Sequence, residues 1–283
     1  MRRSIFLWMV LPLLMFLVVV SCDSWLKPGR SFEADRPVFY VAPNGSDTNA
    51  GTIAHPWATI QHAAAVLKAG ETVYIRAGRY PITQQIRANH SGTENAWILY
   101  AAYPGERVIF DAIAVGPGAP TRQPPFWHDQ GTFQLENVSY IQVRNLEIIN
   151  SHHSGFTVRG SHHIQLSNNK TEKTFSPGIG VWESHHVKVV GNTVTNANTR
   201  EMMPASYPED FGEAPHEGIS LGSVEQFEVA YNLVYDTKKE GIDIKGASQQ
   251  GTVHHNYVHH AGIMGLYVDS WDGILADVEI FNN

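Results

Sequence analysis

Toward the C-terminal end of this 283-residue chain, Glu217, Glu240, Asp243 and Lys245 fall at intervals that a repeating fold would stack. Glu217 and Glu240 are 23 residues apart, and each stands directly before a Gly-Ile pair. Two carboxylates about 5 Å apart repel by roughly 3 kcal/mol even at an effective dielectric near 20. A bound cation, the ammonium of Lys245 or a shared proton must offset that. Paired carboxylates are also the working parts of glycoside hydrolysis, about 5–5.5 Å apart for retention and about 6.5–9.5 Å for inversion. Glu217 with Glu240 meets the shorter separation by stacking, and Asp243, Asp269 or Asp272 offers the longer. The 15 histidines are the other conspicuous chemistry, many of them adjacent: His152-His153, His162-His163, His185-His186, His254-His255, His259-His260. A stacked imidazole row could hold a transition metal, although a polar corner of a fold needs no ligand.

The elements that must position these groups form a repeat. One pattern is an alternating strand that ends in asparagine: Ile164-x-Leu166-x-x-Asn169, Val187-x-Val189-x-x-Asn192, Phe227-x-Val229-x-x-Asn232, Val253-x-x-Asn256 and Val278-x-Ile280-x-x-Asn283. The other is Gly-apolar-x-apolar, beginning at Gly155, Gly178, Gly218, Gly241 and Gly265, at spacings of 23, 40, 23 and 24 residues. The 40 is one ordinary step plus an insertion of about seventeen, roughly Asn198 to Pro215, carrying Glu201, Glu209, Asp210 and Glu213. It leaves the repeat just before His216-Glu217, and long loops at such places carry function.

Alternation with period two puts each apolar pair on one face of a strand. Short strands repeated every 23 residues are too closely spaced for helical repeats. They suit coils that stack on one another with apolar residues inward, and asparagines that hydrogen-bond along the stack. The pattern resembles the right-handed parallel β-helix, and the asparagine row resembles the ladder of pectate-lyase-type proteins. An open end of such a stack invites aggregation. The stretch Thr59 to Gly70 predicts a capping helix with Thr59 as N-cap, Gly70 at the C-cap, and Ile60, Ala63, Ala64 and Leu67 on one face. Residues 39–80 around it resemble the leader of many secreted β-helix carbohydrate enzymes. The chain ends at Asn283 in mid-coil, so a truncated chain is expected, with part of the active surface missing.

Within the glycine strands, the residues two and four after the glycine should face outward. The first row is Thr157, Gly180, Ser220, Asp243, Tyr267, and the second is Arg159, Trp182, Gly222, Lys245, Asp269. The residue before the glycine is Ser154, Pro177, Glu217, Glu240 and Met264 in turn. Polar and aromatic groups thus gather on one face of the last three coils.

Glu217-Gly-Ile-Ser, followed one coil later by Glu240-Gly-Ile-Asp243, is similar to the calcium-binding acidic corners of family-nine pectate lyases. Those carry Asp-Gly-Phe on one coil and Asp-Asp-Gly-Trp-Asp on the next. The resemblance implies Glu217, Glu240 and Asp243 as calcium ligands, in keeping with hard oxygen donors. Lys239 departs from it by standing where an acidic ligand is expected. That family's catalytic lysine follows a Gly-Phe on a later coil, where this chain has Gly265-Leu266-Tyr267. Cleavage of a uronic acid by a lyase needs the sugar carboxylate neutralised and a base for the adjacent proton. The calcium site or Arg159 could do the first; Lys245, with its pKa lowered, could do the second, with Tyr267 in reserve. Trp182 and Trp271 would offer flat faces to sugar rings, with His216 and Asp269 as further substrate contacts.

Hydrophobic residues make up 43% and charged residues only 17%, which excludes a disordered chain. A single cysteine excludes a disulfide framework or a multi-Cys metal site. Arg2 and Arg3, the apolar run Ile5 to Val20 and Ser21-Cys22 read as a secretory address too short to span a membrane. Val19-Val20-Ser21-Cys22 resembles the bacterial lipobox, in which the cysteine is lipidated. Residues 1–21 are then a signal peptide, 22–37 a polar tether, and 38–283 one β-helix domain, with its cap at 38–110 and regular coils over 137–283. Loss of the two leader arginines moves the formal net charge from −7 to −9, which excludes a basic nucleic-acid-binding face. The expectation is a monomeric, lipid-anchored cell-envelope protein that acts on an acidic polysaccharide, as a lyase in preference to a hydrolase. A non-catalytic glycan-binding β-helix is the reading from another functional class.

Overall fold

The alternating segments form three parallel sheets, because each 23-residue step places a strand directly over its counterpart one coil earlier. In the computed structural model the described residues are 36–116, 130–203, 214–270 and 273–283. Cys22 with its leader and tether, Glu209, Asp210 and Glu213 of the insertion, Trp271 and Asp272 lie outside them. The first sheet has nine strands, from Val38–Val41 and Thr72–Ile75 through His162–Ser167 and His185–Val190 to Ala276–Phe281. The second has seven: Ile86–Arg87, Gly131–Glu136, Ser154–Arg159, Ile179–Trp182, Ile219–Gly222, Ile242–Lys245 and Leu266–Val268. The third also has seven, from Gly78–Pro81 to Tyr257–His259. This is the expected parallel β-helix.

The predicted inward residues fill the core. Phe156, Val158, Ile179, Val181, Ile219, Leu221, Ile242 and Ile244 of the second sheet are all buried, as are Ile164, Leu166, Val187 and Val189 of the first. The motif glycine has a steric cause. A Cβ at Gly241 would lie 2.3 Å from Val258 Cγ1 and 2.6 Å from the Gly265 carbonyl oxygen, and one at Gly218 would lie 2.6 Å from the Gly241 oxygen. Neighbouring coils pass too closely there for any side chain.

The asparagine ladder forms as expected. Asn192 Nδ2 donates to Asn232 Oδ1 at 3.1 Å and to the Leu166 carbonyl at 2.9 Å, while Asn232 Oδ1 also accepts the Asn192 backbone N–H at 2.9 Å. Asn169, Asn256 and Asn283 repeat the arrangement. A second, shorter ladder of hydroxyls was not apparent from the sequence. Ser161 Oγ accepts the Val138 N–H, Ser184 Oγ the Ser161 N–H, and Ser248 Oγ the Val224 N–H, each at 3.1 Å.

The helix is shorter than predicted, Ile60–Val66, and ends in an extended Leu67, three residues before Gly70. Leu67 is fully buried, and burying its side chain decides where the chain leaves the helix. Thr59 is the N-cap, accepting the His62 N–H at 3.1 Å. The helix packs against Ile86–Arg87, the end strand of the second sheet, as a cap should.

The pairs His162-His163 and His185-His186 stack as their 23-residue spacing implies. His163 lies 4.3 Å from His186 and 4.5 Å from Tyr140, and His162 lies 4.9 Å from His185, with near-parallel rings. Within each pair the Nδ1 atoms hydrogen-bond, at 2.9 and 2.8 Å. Burial first, and then the neighbouring His186, His162 and His185, lower the pKa of His163. The neutral form of His163 is the one this corner favours.

Candidate functional site

Along Ile242–Lys245 the isoleucines point into the core, so Asp243 and Lys245 project from the outer face of the second sheet. Register places Asp243 beside Ser220 on one side and Tyr267 on the other, and Lys245 beside Gly222. Glu217 and Glu240 occupy the corners that lead into their strands, joined by the bond from the Gly218 N–H to the Glu240 carbonyl at 2.9 Å. The outward row is not solvated: Thr157, Ser220 and Asp243 are each 1% exposed or less. The polar face is therefore a desolvated one.

Lys245 supplies the offset that the crowded carboxylates require. Its Nζ donates to Glu217 Oε2 at 2.5 Å and lies 3.1 Å from Asp243 Oδ2. Ser220 Oγ donates to the same Glu217 oxygen at 2.7 Å, and Lys239 Nζ stands 3.9 Å from Glu217 Oε1. Burial alone would raise the pKa of Glu217, but the charge and hydrogen bond of Lys245, the Ser220 hydroxyl and His216 outweigh it, and the net shift is downward. Asp243 goes the other way, pushed to about 7 by burial first and then by the charges of Glu217 and Asp269, with Lys245 only partly compensating. The ammonium is shared unequally, so one carboxylate stays ionised and the other binds a proton near neutrality. Two carboxyls whose environments separate their pKa values make an acid–base pair.

Several expected roles change in this geometry. Burial disfavours the charged form of Lys245, but Glu217 and Asp243 more than reverse that and raise its pKa. A proton acceptor needs the opposite shift, so as placed Lys245 is a fixed cation and not a base. Calcium at Glu217, Glu240 and Asp243 does not fit either. Two ammonium groups lie within 4.0 Å of Glu217, one of them shared with Asp243, and a divalent cation among them would meet their charge. Among the described residues no three His, Cys, Asp or Glu side chains form a metal-binding group. Glu240 Oε2 and Asp243 Oδ1 are nonetheless buried without a hydrogen-bond partner, which marks the cluster as unfinished in polar terms.

Trp182 is a packing residue in this structure. It is 8% exposed, and its ring sits over Gly222, where a Cβ would come within 2.8 Å of it. His216 covers it at 4.6 Å between centroids, so no open face is left for a sugar ring. Arg159 lies three strands from Lys245 along the sheet, roughly 14 Å at the usual strand spacing, beyond Trp182. It stands 3.9 Å from Glu183 and 5.9 Å from the Trp182 ring, outside the carboxylate cluster. Tyr267 and Asp269, half-buried on the last glycine strand and just after it, remain beside Asp243. Ser220 was not singled out by the sequence, although its place three residues after Glu217 in the outward row was visible.

Residues 39–207 match the family described as "Pel9A-like, right handed beta helix region". A pectate lyase, PEL9, of Emericella nidulans is 39% identical over 113 residues, which cover 39% of this chain and 27% of that protein. The chain thus matches about a quarter of that relative's length. The solved structure of pectate lyase Pel9A superposes with a TM-score of 0.62 at 18% identity, over 80% of this chain and 55% of that one. A rhamnogalacturonan lyase superposes with a TM-score of 0.54 at 16% identity, over 82% and 73%. These two likenesses concern the fold. The family match ends before His216, so it covers the scaffold and not the carboxylate cluster. With more than half of its residues inside that match, the chain belongs to the Pel9A-like right-handed β-helix family.

Proposed function

We propose that this protein is a cell-envelope polysaccharide lyase that cleaves a uronate-containing glycan by β-elimination at the Glu217–Asp243–Lys245 cluster. The observation that carries the reading is Lys245, held protonated between an ionised Glu217 and an Asp243 whose carboxyl titrates at about 7. The names of the relatives, lyases of pectate and rhamnogalacturonan, support the substrate class.

The Lys245 ammonium neutralises the sugar carboxylate and so acidifies the proton on the adjacent carbon. Asp243, ionised above neutral pH, accepts that proton once bound substrate displaces the side chains that bury it. The electron pair forms the new double bond as the glycosidic C–O bond breaks, and the Tyr267 hydroxyl gives its proton to the departing oxygen. No step requires a metal.

The test is ultraviolet absorbance of unsaturated product on pectate, alginate and glycosaminoglycans, with and without EDTA. Rising absorbance that EDTA leaves unchanged is the expected result. A strict calcium requirement would mean that Lys245 is displaced from the cluster. A second reading has its own observation: Glu217 and Asp243 both reach one nitrogen with their pKa values driven apart, as in a hydrolase acid–base pair. Reducing ends released without absorbance would establish it, and binding without either product would leave a glycan-binding β-helix. The envelope location rests on Cys22. Labelling with radioactive palmitate, lost in Cys22→Ser, is the expected outcome, and unlabelled wild type refutes the anchor.

A further inference from the structure

Beside the cluster, where the insertion leaves the stack, lies a cavity of about 350 Å³ lined by Asn198, Thr199, Arg200, Glu201, Lys238 and Lys239. Lys239 joins it to the cluster, since its ammonium stands 3.9 Å from Glu217 Oε1. The one carboxylate in the lining, Glu201, is held by Lys173 at 3.0 Å. Among the described residues, neither Arg200 nor Lys238 has a carboxylate within ion-pair distance. The backbone beneath these cations is fixed. Asn198 Nδ2 donates to the carbonyls of Pro215 and His216 at 3.1 and 2.8 Å, which ties the two ends of the insertion together. The Thr199 N–H bonds Thr174 O at 3.0 Å, and the Lys238 N–H bonds Ala197 O at 3.1 Å. A concave wall whose Arg200 and Lys238 have no carboxylate partner among the described residues, joined through Lys239 to a cluster that handles an acidic sugar, suits a second anionic group of the same polymer.

We propose that this cavity is a subsite for the carboxylate of a uronate residue neighbouring the one at the cluster, with Arg200 and Lys238 as its ligands. The inference rests on the lyase reading for its substrate class, but its test does not depend on cleavage. Equilibrium binding of trigalacturonate and of its methyl ester is measured by calorimetry, on wild type and on Arg200→Gln with Lys238→Gln. Both side chains are exposed, so the variant should melt as wild type does. Wild type is expected to prefer the acid over the ester, and the double variant to lose about tenfold in affinity for the acid with little change for the ester. Lys188→Gln, which removes a cation paired to Glu228 on the first sheet, should leave the preference intact. A wild type without preference, or a double variant that keeps it, overturns the subsite whether or not the glycan is cleaved. Preference lost in the double variant, in a protein that forms no unsaturated product, upholds the subsite and overturns the lyase reading alone.

Discussion

Asp243→Asn is expected to lower turnover about a thousandfold and to leave the protein at least as stable as wild type above neutral pH. The folded-state pKa of Asp243, about 7, stands above its ordinary 3.8. Its protonated form is therefore favoured by folding. That contribution is fully present below about 3.8 and is lost as pH rises through about 7, where ionisation puts a charge into a site 1% exposed beside Glu217 and Asp269. Asparagine cannot ionise and escapes that loss, while its oxygen can still accept from Lys245. Melting curves at acid and alkaline pH measure the stability effect, and initial rates measure the turnover. The wild-type pH profile carries a further sign. If Asp243 is the base of a lyase, activity rises with pH through about 7; if it is the acid of a hydrolase, activity falls there. A variant with unimpaired turnover would remove Asp243 from the reaction.

Asn232→Ala should cost about 3–5 kcal/mol of stability, the largest loss expected from one substitution in the ladder. Asn232 is 1% exposed, and its side chain bonds in both directions along the stack. Oδ1 accepts the Asn192 N–H and Nδ2 groups, and Nδ2 donates to the Val189 carbonyl at 2.8 Å and to Asn256 Oδ1 at 2.9 Å. Truncation strands the Asn192 N–H and the Val189 carbonyl inside the fold and opens a void. Urea denaturation of the variant measures the loss. A loss of only about 1 kcal/mol would show that water enters the corner and satisfies the stranded groups.

The coil architecture was legible in the residues themselves. Period-two alternation fixes which side chains face inward, and a 23-residue step leaves no partner for each strand except the coil before and after it. Asn169, Asn192, Asn232, Asn256 and Asn283 could be assigned to one ladder, and the pairs at His162 and His185 to one stack, because identical positions in identical coils must superpose. Charge crowding at Glu217, Glu240 and Asp243 was legible for the same reason, including the need for something to offset it.

What could not be read is how those side chains resolve their contacts. Lys245 meets Glu217 across 28 residues, and whether it serves as a base or a counter-ion depends on a 2.5 Å contact and on burial that no spacing encodes. The same holds for Trp182, whose packing over Gly222 leaves it no free face. Leu67 ends the helix before Gly70 because tertiary burial outweighed local turn preference. The insertion breaks the periodicity at Asn198, so the convergence of Arg200 and Lys238 on one cavity had no repeat to announce it. By itself, then, the sequence determined the stacking and the face on which polar groups gather, because periodicity is a local property. Only the tertiary structure decided which groups pair, which stay charged and which are covered, because desolvation and hydrogen bonding are set by distances between coils.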